Sequence, residues 1–543
     1  MGEKKVIKAA LLGAGTVGSG VYALSEMLKD EMFQKTGANL EIKKVLVRNT
    51  KKERPGIPKE VLTDNWKEIL EDDEIQLVIE LMGGVEPART YIVEALETGK
   101  QVVTANKDVL AEYGQEILTL AENNGCDIQF EAAVAGAIPI IRPLKQSLAG
   151  SMLTEIMGIV NGTTNYILTK MSEEGMDYQE ALAKATELGY AEADPTADVE
   201  GYDAGRKIAI MSSLAFNSKV TFKDVYMEGI TKITSDDIRY AKEFGYVIKL
   251  LGVTKLVNNE IEVKVHPMLI PEQHPLATVR DSFNAVFVHG EACDDAMFMG
   301  RGAGKMPTAS AVMGDIIIVM RNIVHDNCGW NGGVAYKNYP VKPIEETRSR
   351  YFLRLQVANK PGALANIAGV LGNNDVSIAC FDHLGSHVHT VQARAADHVD
   401  GDSGGLDGQA GFQRSLACNV LAQTSLDNTA HVNVVNLLRL DIGAVQGFLD
   451  DDGAQLCSRN IGQGAAELAD SSTACGCDND FLHKKQPPKK YESYLDGWES
   501  FVSLQALAAR QSTFFGGQTL PSRIFFFRAA STLGVTNLET SWL

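Results

Sequence analysis

The chain lacks any C-x-x-C pair. Its eight cysteines are scattered, only Cys475 and Cys477 stand close together, and the spacings that hold zinc are absent. Buried free thiols are the expected state. Basic charge is also scarce: 51 Lys and Arg against 69 Asp and Glu leave a formal net charge of -18, which argues against a nucleic-acid partner. No continuous apolar run reaches membrane-crossing length, and residues 1–8 lack the apolar core of a secretory signal, so a cytoplasmic protein without membrane contact is expected. What is present, 45% apolar and 22% charged residues, is the make-up of a globular protein. At 543 residues the chain is too long for one core, and about 150 residues per domain suggests three or four.

The first 140 residues alternate strand and helix. The apolar run from Val6 to Leu12 leads into Gly13-Ala14-Gly15-Thr16-Val17-Gly18 and then a helical pattern through Tyr22, Leu24 and Leu28. A G-x-G-x-x-G motif alone is weak. Between a strand and a helix it marks a dinucleotide fold, in which the glycines let backbone approach a pyrophosphate that the helix N-terminus stabilises. The second strand, residues 41–47, ends in Arg48-Asn49-Thr50-Lys51-Lys52 where an NAD site would place an acid. A cation there suits the 2'-phosphate of NADP; a solvated basic turn in an NAD enzyme is the alternative. A later strand, residues 101–104, runs into Ala105-Asn106-Lys107, and this places Lys107 at the carboxyl end of the sheet, where such folds bind ligands.

From Ile128 to Ile141 the chain is almost wholly apolar with one carboxylate, Glu131. Two readings are open: a core strand whose glutamate is satisfied by backbone amides, or a monovalent cation held by Glu131 and backbone carbonyls at Val134, Gly136 and Ile138. Further on, Gly300-Arg301-Gly302-Ala303-Gly304-Lys305 is a second glycine-rich loop before a helix, suited to close backbone approach to a cofactor or to a tight turn.

The segment from Gly189 to Lys207 concentrates five carboxylates, Glu192, Asp194, Asp198, Glu200 and Asp203, ahead of Arg206 and Lys207. The acids suit a substrate ammonium, and an amine four residues after Asp203 lies one helical turn away on the same face. Oxidising an alcohol removes a hydride and a proton, so such a lysine can serve in proton transfer. The bland alternative is an exposed i,i+4 ion pair worth about 0.3 kcal/mol.

Taken together, the glycine turn through Gly20, Thr104-Ala105-Asn106-Lys107, the stretch from Gly158 to Tyr166, the Gly189 to Lys207 segment, and Gly302-Ala303-Gly304 with the run from Pro307 to Val312 resemble homoserine dehydrogenases over roughly residues 5–330. The resemblance implies an α/β chain: an N-terminal Rossmann dinucleotide-binding domain (1–140), an α+β catalytic and dimerisation domain (141–330) and a partial ACT-like ferredoxin-type module (350–380). The implied activity is NAD(P)-dependent interconversion of L-homoserine and L-aspartate 4-semialdehyde, a step toward threonine, methionine and isoleucine, by a homodimer or homotetramer. Carried over by position, Lys207 exchanges a proton with the substrate oxygen and Lys107 lies beside it near the nicotinamide, while Glu192 and Asp203 hold the substrate with Asp198 supporting the same acidic pocket. Cofactor contacts fall on Ala14, Thr16, Val17, Thr104, Lys107 and Gly302, beside Gly13, Gly15 and Gly18 of the glycine turn and Arg48 at the strand end, which the residues themselves suggest. A cation, Na+, maps onto Glu131, Val134, Gly136 and Ile138. Another NAD(P)-dependent amino-acid or semialdehyde dehydrogenase, or a non-catalytic nucleotide-sensing regulator, are the rival expectations.

Beyond residue 340, a strand at residues 351–357, a turn at Asn359-Lys360-Pro361-Gly362, a helix at residues 363–371 and a strand at residues 375–378 resemble the start of an ACT domain, a threonine-feedback element in this family. Asn359 stands where that family usually has Asp. The chain then changes character: no methionine occurs after Met320, and the only lysines after residue 380 are Lys484, Lys485, Lys489 and Lys490. Residues 381–543 are expected to be a shifted reading frame or fusion, largely without stable structure; an unfamiliar native domain is the rival. His383, His387 and His389 form an H-x-x-x-H-x-H cluster of metal-like spacing in these atypical surroundings.

Overall fold

An apolar run with no polar alternation is what a strand covered on both faces requires, and β1 (Lys5–Leu12) buries Ala9, Ala10, Leu11 and Leu12 completely. In this computed structural model, residues 5–330, 337–347, 349–358, 363–373, 377–384, 499–502 and 522–531 are described. Around β1 lie β2 (Ala38–Leu46), β3 (Leu62–Thr63), β4 (Ile75–Glu80), β5 (Gln101–Thr104) and β6 (Ile128–Gln129), all parallel, in the order β3-β2-β1-β4-β5-β6. The chain leaves β1 with β2 on one side and β4 on the other, so the loops after β1 and β4 part and leave a crevice at their carboxyl ends. The helices of this half are α1 (Thr16–Met27), α2 (Lys29–Thr36), α3 (Lys67–Leu70), α4 (Ala88–Glu97) and α5 (Lys107–Asn123).

The next strands are β7 (Leu153–Ile159), β8 (Tyr226–Met227), β9 (Tyr246–Val257), β10 (Glu260–Pro271), β11 (Phe283–Gly290) and β12 (Asp294–Arg301). They pair antiparallel in the order β12-β11-β7-β9-β10, with β8 parallel to β10. Against this sheet lie α6 (Gly162–Glu174), α7 (Tyr178–Glu187), α8 (Thr196–Val199), α9 (Tyr202–Phe216) and α10 (Ser235–Glu243). α9 meets the sheet closely: a Cβ on Gly252 of β9 would stand 3.1 Å from the side chain of Ile208.

α11 (Lys305–His325) returns to the first sheet and packs on α1, where a Cβ on Gly20 would stand 3.0 Å from the Lys305 carbonyl oxygen. It corrects the expectation about apolar runs. At 21 residues it is, among the described residues, the one helix long and apolar enough to cross a membrane. Its apolar character has another cause: Ala309, Val312, Met313, Ile316, Val319 and Met320 complete the core around Ile7, Leu11 and Val21, and the fully buried Asp315 sits on the same helix.

The segment 128–141 is not the core strand that one of its two readings requires, although backbone amides do satisfy its glutamate. Only Ile128 and Gln129 pair, because a 3-10 turn at Glu131–Ala133 and left-handed backbone at Ala135 and Gly136 (φ 56° and 58°) turn the chain away from the sheet.

Beyond these elements come β13 (Ser349–Ala358), α12 (Ala363–Asn373) and β14 (Ser377–Leu384), a strand, helix and strand in the order the sequence predicts, then a short β15 (Glu499–Val502) and β16 (Ser522–Ser531). β16 lies between β13 and β14 and runs antiparallel to β14. His383 falls in β14; His387, His389, Asn359 and most of residues 381–543 lie outside the described residues.

Candidate active site

The glycine turn has the shape a pyrophosphate needs. Gly13 adopts φ 97° and donates its N–H to the Leu46 carbonyl at 3.0 Å, and a Cβ on Gly18 would stand 2.0 Å from the Gly13 carbonyl oxygen. Gly15 caps α1 without a side chain, and nothing lies within 4 Å of where its Cβ would be. The start of α1 is therefore open beside Gly15, with Thr16 exposed and Ala14 and Val17 half-buried, and its first amides have no partner within the helix. This cradle fits a dinucleotide phosphate. Arg48 is exposed just past β2, in a basic turn that Arg54 holds through the carbonyls of Asn49 and Lys52 (2.9 and 2.8 Å).

At the ends of β4 and β5, the fully buried Glu80 accepts from Thr104 Oγ1 at 2.6 Å and from the Met82 amide at 2.7 Å. Burial pushes its carboxyl above the ordinary range. Asn106 caps α5, accepting from the Val109 amide at 3.2 Å and donating to the Gly84 carbonyl at 2.8 Å, so Lys107 is fixed as the first residue of α5 at the crevice.

Lys107 and Lys207 meet on Asp203. Lys107 Nζ stands 2.5 Å from Asp203 Oδ1, while Lys207 Nζ stands 2.6 Å from Oδ2 and donates to the Val160 carbonyl at 2.7 Å. The Asp203 and Lys207 side chains are 9% and 11% exposed, whereas Lys107 is 37% exposed. The predicted one-turn spacing on a single helix is what α9 realises, and the pair is buried rather than solvated. Asn161, which caps α6 by accepting from the Thr164 amide at 2.9 Å, donates to Asp198 at 2.7 Å and to Asp203 at 2.9 Å. One amide thus holds two carboxylates apart.

Burial alone would raise the Asp203 carboxyl, but the ammonium groups of Lys207 and Lys107 outweigh it and hold Asp203 far below the usual carboxylate range. Burial lowers Lys207, and the charge of Lys107 adds to that against the pull of Asp203. For Lys107 burial works downward too, but Asp203 reverses it and the ammonium is strengthened. Asp198 is raised, chiefly by burial.

The other acids of the segment go elsewhere. Asp194 accepts from the Thr196 amide and hydroxyl, Glu200 accepts from Thr231, and Arg206 pairs with Asp108 at 2.7 Å. Glu192 is exposed, between α7 and α8. Of the four residues carried over with Lys107 by position, the structure brings Asp198, Asp203 and Lys207 together and leaves Glu192 at the surface.

The Glu131 carboxylate accepts from the amides of Ile140, Ile141 and Arg142 (2.5, 2.8 and 3.0 Å) and from Arg142 Nε at 2.8 Å. These lone pairs are taken by N–H donors, so of the atoms expected around a hard cation only the backbone oxygens of the turn through Val134, Gly136 and Ile138 are left. That turn touches the second glycine loop: a Cβ on Gly136 would stand 2.3 Å from the Gly302 carbonyl oxygen, and one on Gly302 would overlap the buried amide of Asn284.

Sequence reasoning missed Glu80, Asn161, Asn284 and the Asp108–Arg206 pair. Asn161 carried a usable signal, an Asn at the start of a helix three residues before Thr164. The others meet their partners only through tertiary packing.

Comparison with known proteins settles the family. A family model described as the NAD binding domain of homoserine dehydrogenase matches residues 13–131, and one described as homoserine dehydrogenase matches residues 139–317. A homoserine dehydrogenase of Bacillus subtilis is 46% identical over 378 residues, covering 69% of this chain and 86% of that protein. The chain belongs to the homoserine dehydrogenase family. A solved homoserine dehydrogenase from Thiobacillus denitrificans is similar with a TM-score of 0.68 and 41% identity, over 70% of this chain and 89% of that one. A hyperthermophilic archaeal homoserine dehydrogenase in complex with NADPH is similar with a TM-score of 0.50 and 26% identity, over 58% of this chain and 97% of that one. This homoserine dehydrogenase-family oxidoreductase carries its NAD-binding domain on the parallel sheet and its catalytic domain on the antiparallel one; neither family model extends past residue 317.

Proposed function

We propose that Lys207 exchanges the hydroxyl proton as this chain interconverts L-homoserine and L-aspartate 4-semialdehyde. The observation that carries the reading is the buried Lys107–Asp203–Lys207 cluster at the mouth of a dinucleotide crevice. A bound nicotinamide would supply the hydride chemistry at the alcohol carbon. An ammonium has three donors, and Lys207 directs two at Val160 and Asp203, which leaves the third position for the substrate oxygen. In the oxidising direction the neutral amine takes the O–H proton there, a task that burial favours by lowering its affinity for protons. In reduction the ammonium returns it. Asp203 stays charged throughout, and with Asp198 it forms the acidic wall that a substrate ammonium requires; Glu192, carried over to the same role by position, is exposed.

Gly13, Ala14, Gly15, Thr16, Val17 and Gly18 would hold the cofactor, with Thr104, Lys107 and Gly302 toward its nicotinamide. NADP is the favoured form: the exposed Arg48 suits a 2'-phosphate, and the archaeal relative was solved with NADPH. A monovalent cation such as Na+ would be held by backbone oxygens at Val134, Gly136 and Ile138 beside Glu131, and would brace the loop against Gly302. The chain works as a homodimer or homotetramer in the cytoplasm, and β13, α12 and β14 support the start of an ACT-like module for a threonine effector.

The test is direct: mix the full chain with L-homoserine and either NADP or NAD and follow the absorbance of reduced cofactor. Homoserine-dependent reduction is expected, faster with NADP, and Arg48→Glu should lower the NADP preference by about tenfold. Reduction of neither cofactor would overturn the reading.

A further inference from the structure

The contact between α5 and α9 has two rungs, and only one belongs to the lysine cluster on Asp203. One residue beyond Lys107, Asp108 Oδ1 stands 2.7 Å from Arg206 Nε, which is one residue before Lys207. The charges alternate: on α5 a cation precedes an anion, on α9 an anion precedes a cation, so a shift of either helix along the other sets like charges together. Arg206 is also prearranged. Its guanidinium lies 4.5 Å from the centre of the Phe222 ring and donates to the Tyr202 carbonyl at 3.2 Å, while Tyr202 meets Phe222 edge to face. An isolated ion pair of this exposure, 28% and 29%, contributes little, because ordering two long side chains offsets the attraction. Here the ring and the carbonyl already hold one partner in place.

The position gives the pair a consequence. α5 starts from the carboxyl edge of the parallel sheet, which holds the cofactor cradle, and α9 carries Lys207 from the antiparallel sheet. Hydride and proton transfer need both sides in register, and a displacement of about 1 Å there costs rate steeply. We propose that Asp108 and Arg206 form a positioning latch between α5 and α9 that fixes the separation of the cofactor cradle from Lys207. The latch rests on the proton-transfer role proposed for Lys207.

Two measurements test it. In single-turnover mixing of the cofactor-loaded full chain with homoserine, the rate constant does not depend on the fraction of protein that is folded. Asp108→Asn and Arg206→Gln should each lower it about tenfold, the double variant should fall no further than either single, and the reduced-cofactor Kd from fluorescence titration should stay within about twofold of the parent. The charge-swapped double Asp108→Arg with Arg206→Asp should recover part of the loss. Either single variant within about twofold of the parent, or a double variant that falls by the product of the singles, overturns the latch. In the second measurement, hydrogen exchange on the cofactor-bound chain should speed up in Arg206→Gln at the first turn of α5, across the contact; unchanged exchange there also overturns it. A parent that binds cofactor yet fails to turn over homoserine defeats the functional reading instead, and the exchange result still decides the latch.

Discussion

Lys107 and Lys207 stand on opposite oxygens of one carboxylate, 2.5 Å from Asp203 Oδ1 and 2.6 Å from Asp203 Oδ2, although they rise from helices that belong to different sheets. A buried carboxylate flanked this way cannot protonate near neutrality, and it ties the protonation of each lysine to the other.

Asp203→Asn removes the charge that opposes burial at Lys207. The amine then loses its proton more readily and stays neutral to lower pH. The acid limb of kcat/KM for homoserine oxidation should move to lower pH, while kcat/KM itself falls by about 10²-fold with the lost charge-assisted contacts. A pH-rate profile checks this; an acid limb that stays in place or moves upward contradicts it.

Two glycines should separate packing from ligand binding. In Gly302→Ala the new Cβ would meet the Asn284 amide inside a buried corner, and unfolding by denaturant should show a loss of about 1–3 kcal/mol. In Gly15→Ala nothing lies within 4 Å, so stability should change little, while the methyl fills the space of a phosphate and reduced-cofactor affinity drops. Equal stabilities for the two variants would contradict the assignment.

His266 is fully buried with Nδ1 2.9 Å from the Pro267 carbonyl oxygen, and burial, aided by Lys264, lowers its pKa from 6.5 to about 3. The unfolded chain therefore binds the proton first as pH falls. Stability from the neutral ring is intact above pH 6.5 and is lost progressively toward pH 3. Between pH 7 and pH 5, His266→Gln should lose about 2 kcal/mol less unfolding free energy than the parent. Parallel stability curves for the two proteins would contradict this.

How far the sequence could be read depended on how local each feature is. The turn from β1 into α1 was legible because a strand, three glycines and a helix follow each other without a gap, and the spacing of Asp203 and Lys207 was legible because one helix sets it. Lys107 was legible as a strand-end residue, but its contact with Asp203 is set by how the two sheets meet. Asn161 joins Asp198 and Asp203 through the packing of α6, α8 and α9 on the antiparallel sheet, and Asp108 finds Arg206 only once α5 and α9 lie side by side. The run after Ile128 misled because burial, which makes residues apolar, does not by itself fix backbone shape; the left-handed pair at Ala135 and Gly136 does. Likewise α11 carries a membrane-like composition because one face of it completes the core.

The most direct test is Lys207→Met, assayed for homoserine-dependent cofactor reduction alongside fluorescence titration of the reduced cofactor. Methionine keeps the length of the side chain and removes the group that moves the proton. Turnover should fall by about 10³-fold with cofactor affinity within about twofold of the parent. A variant that retains turnover within tenfold of the parent would contradict the role given to Lys207.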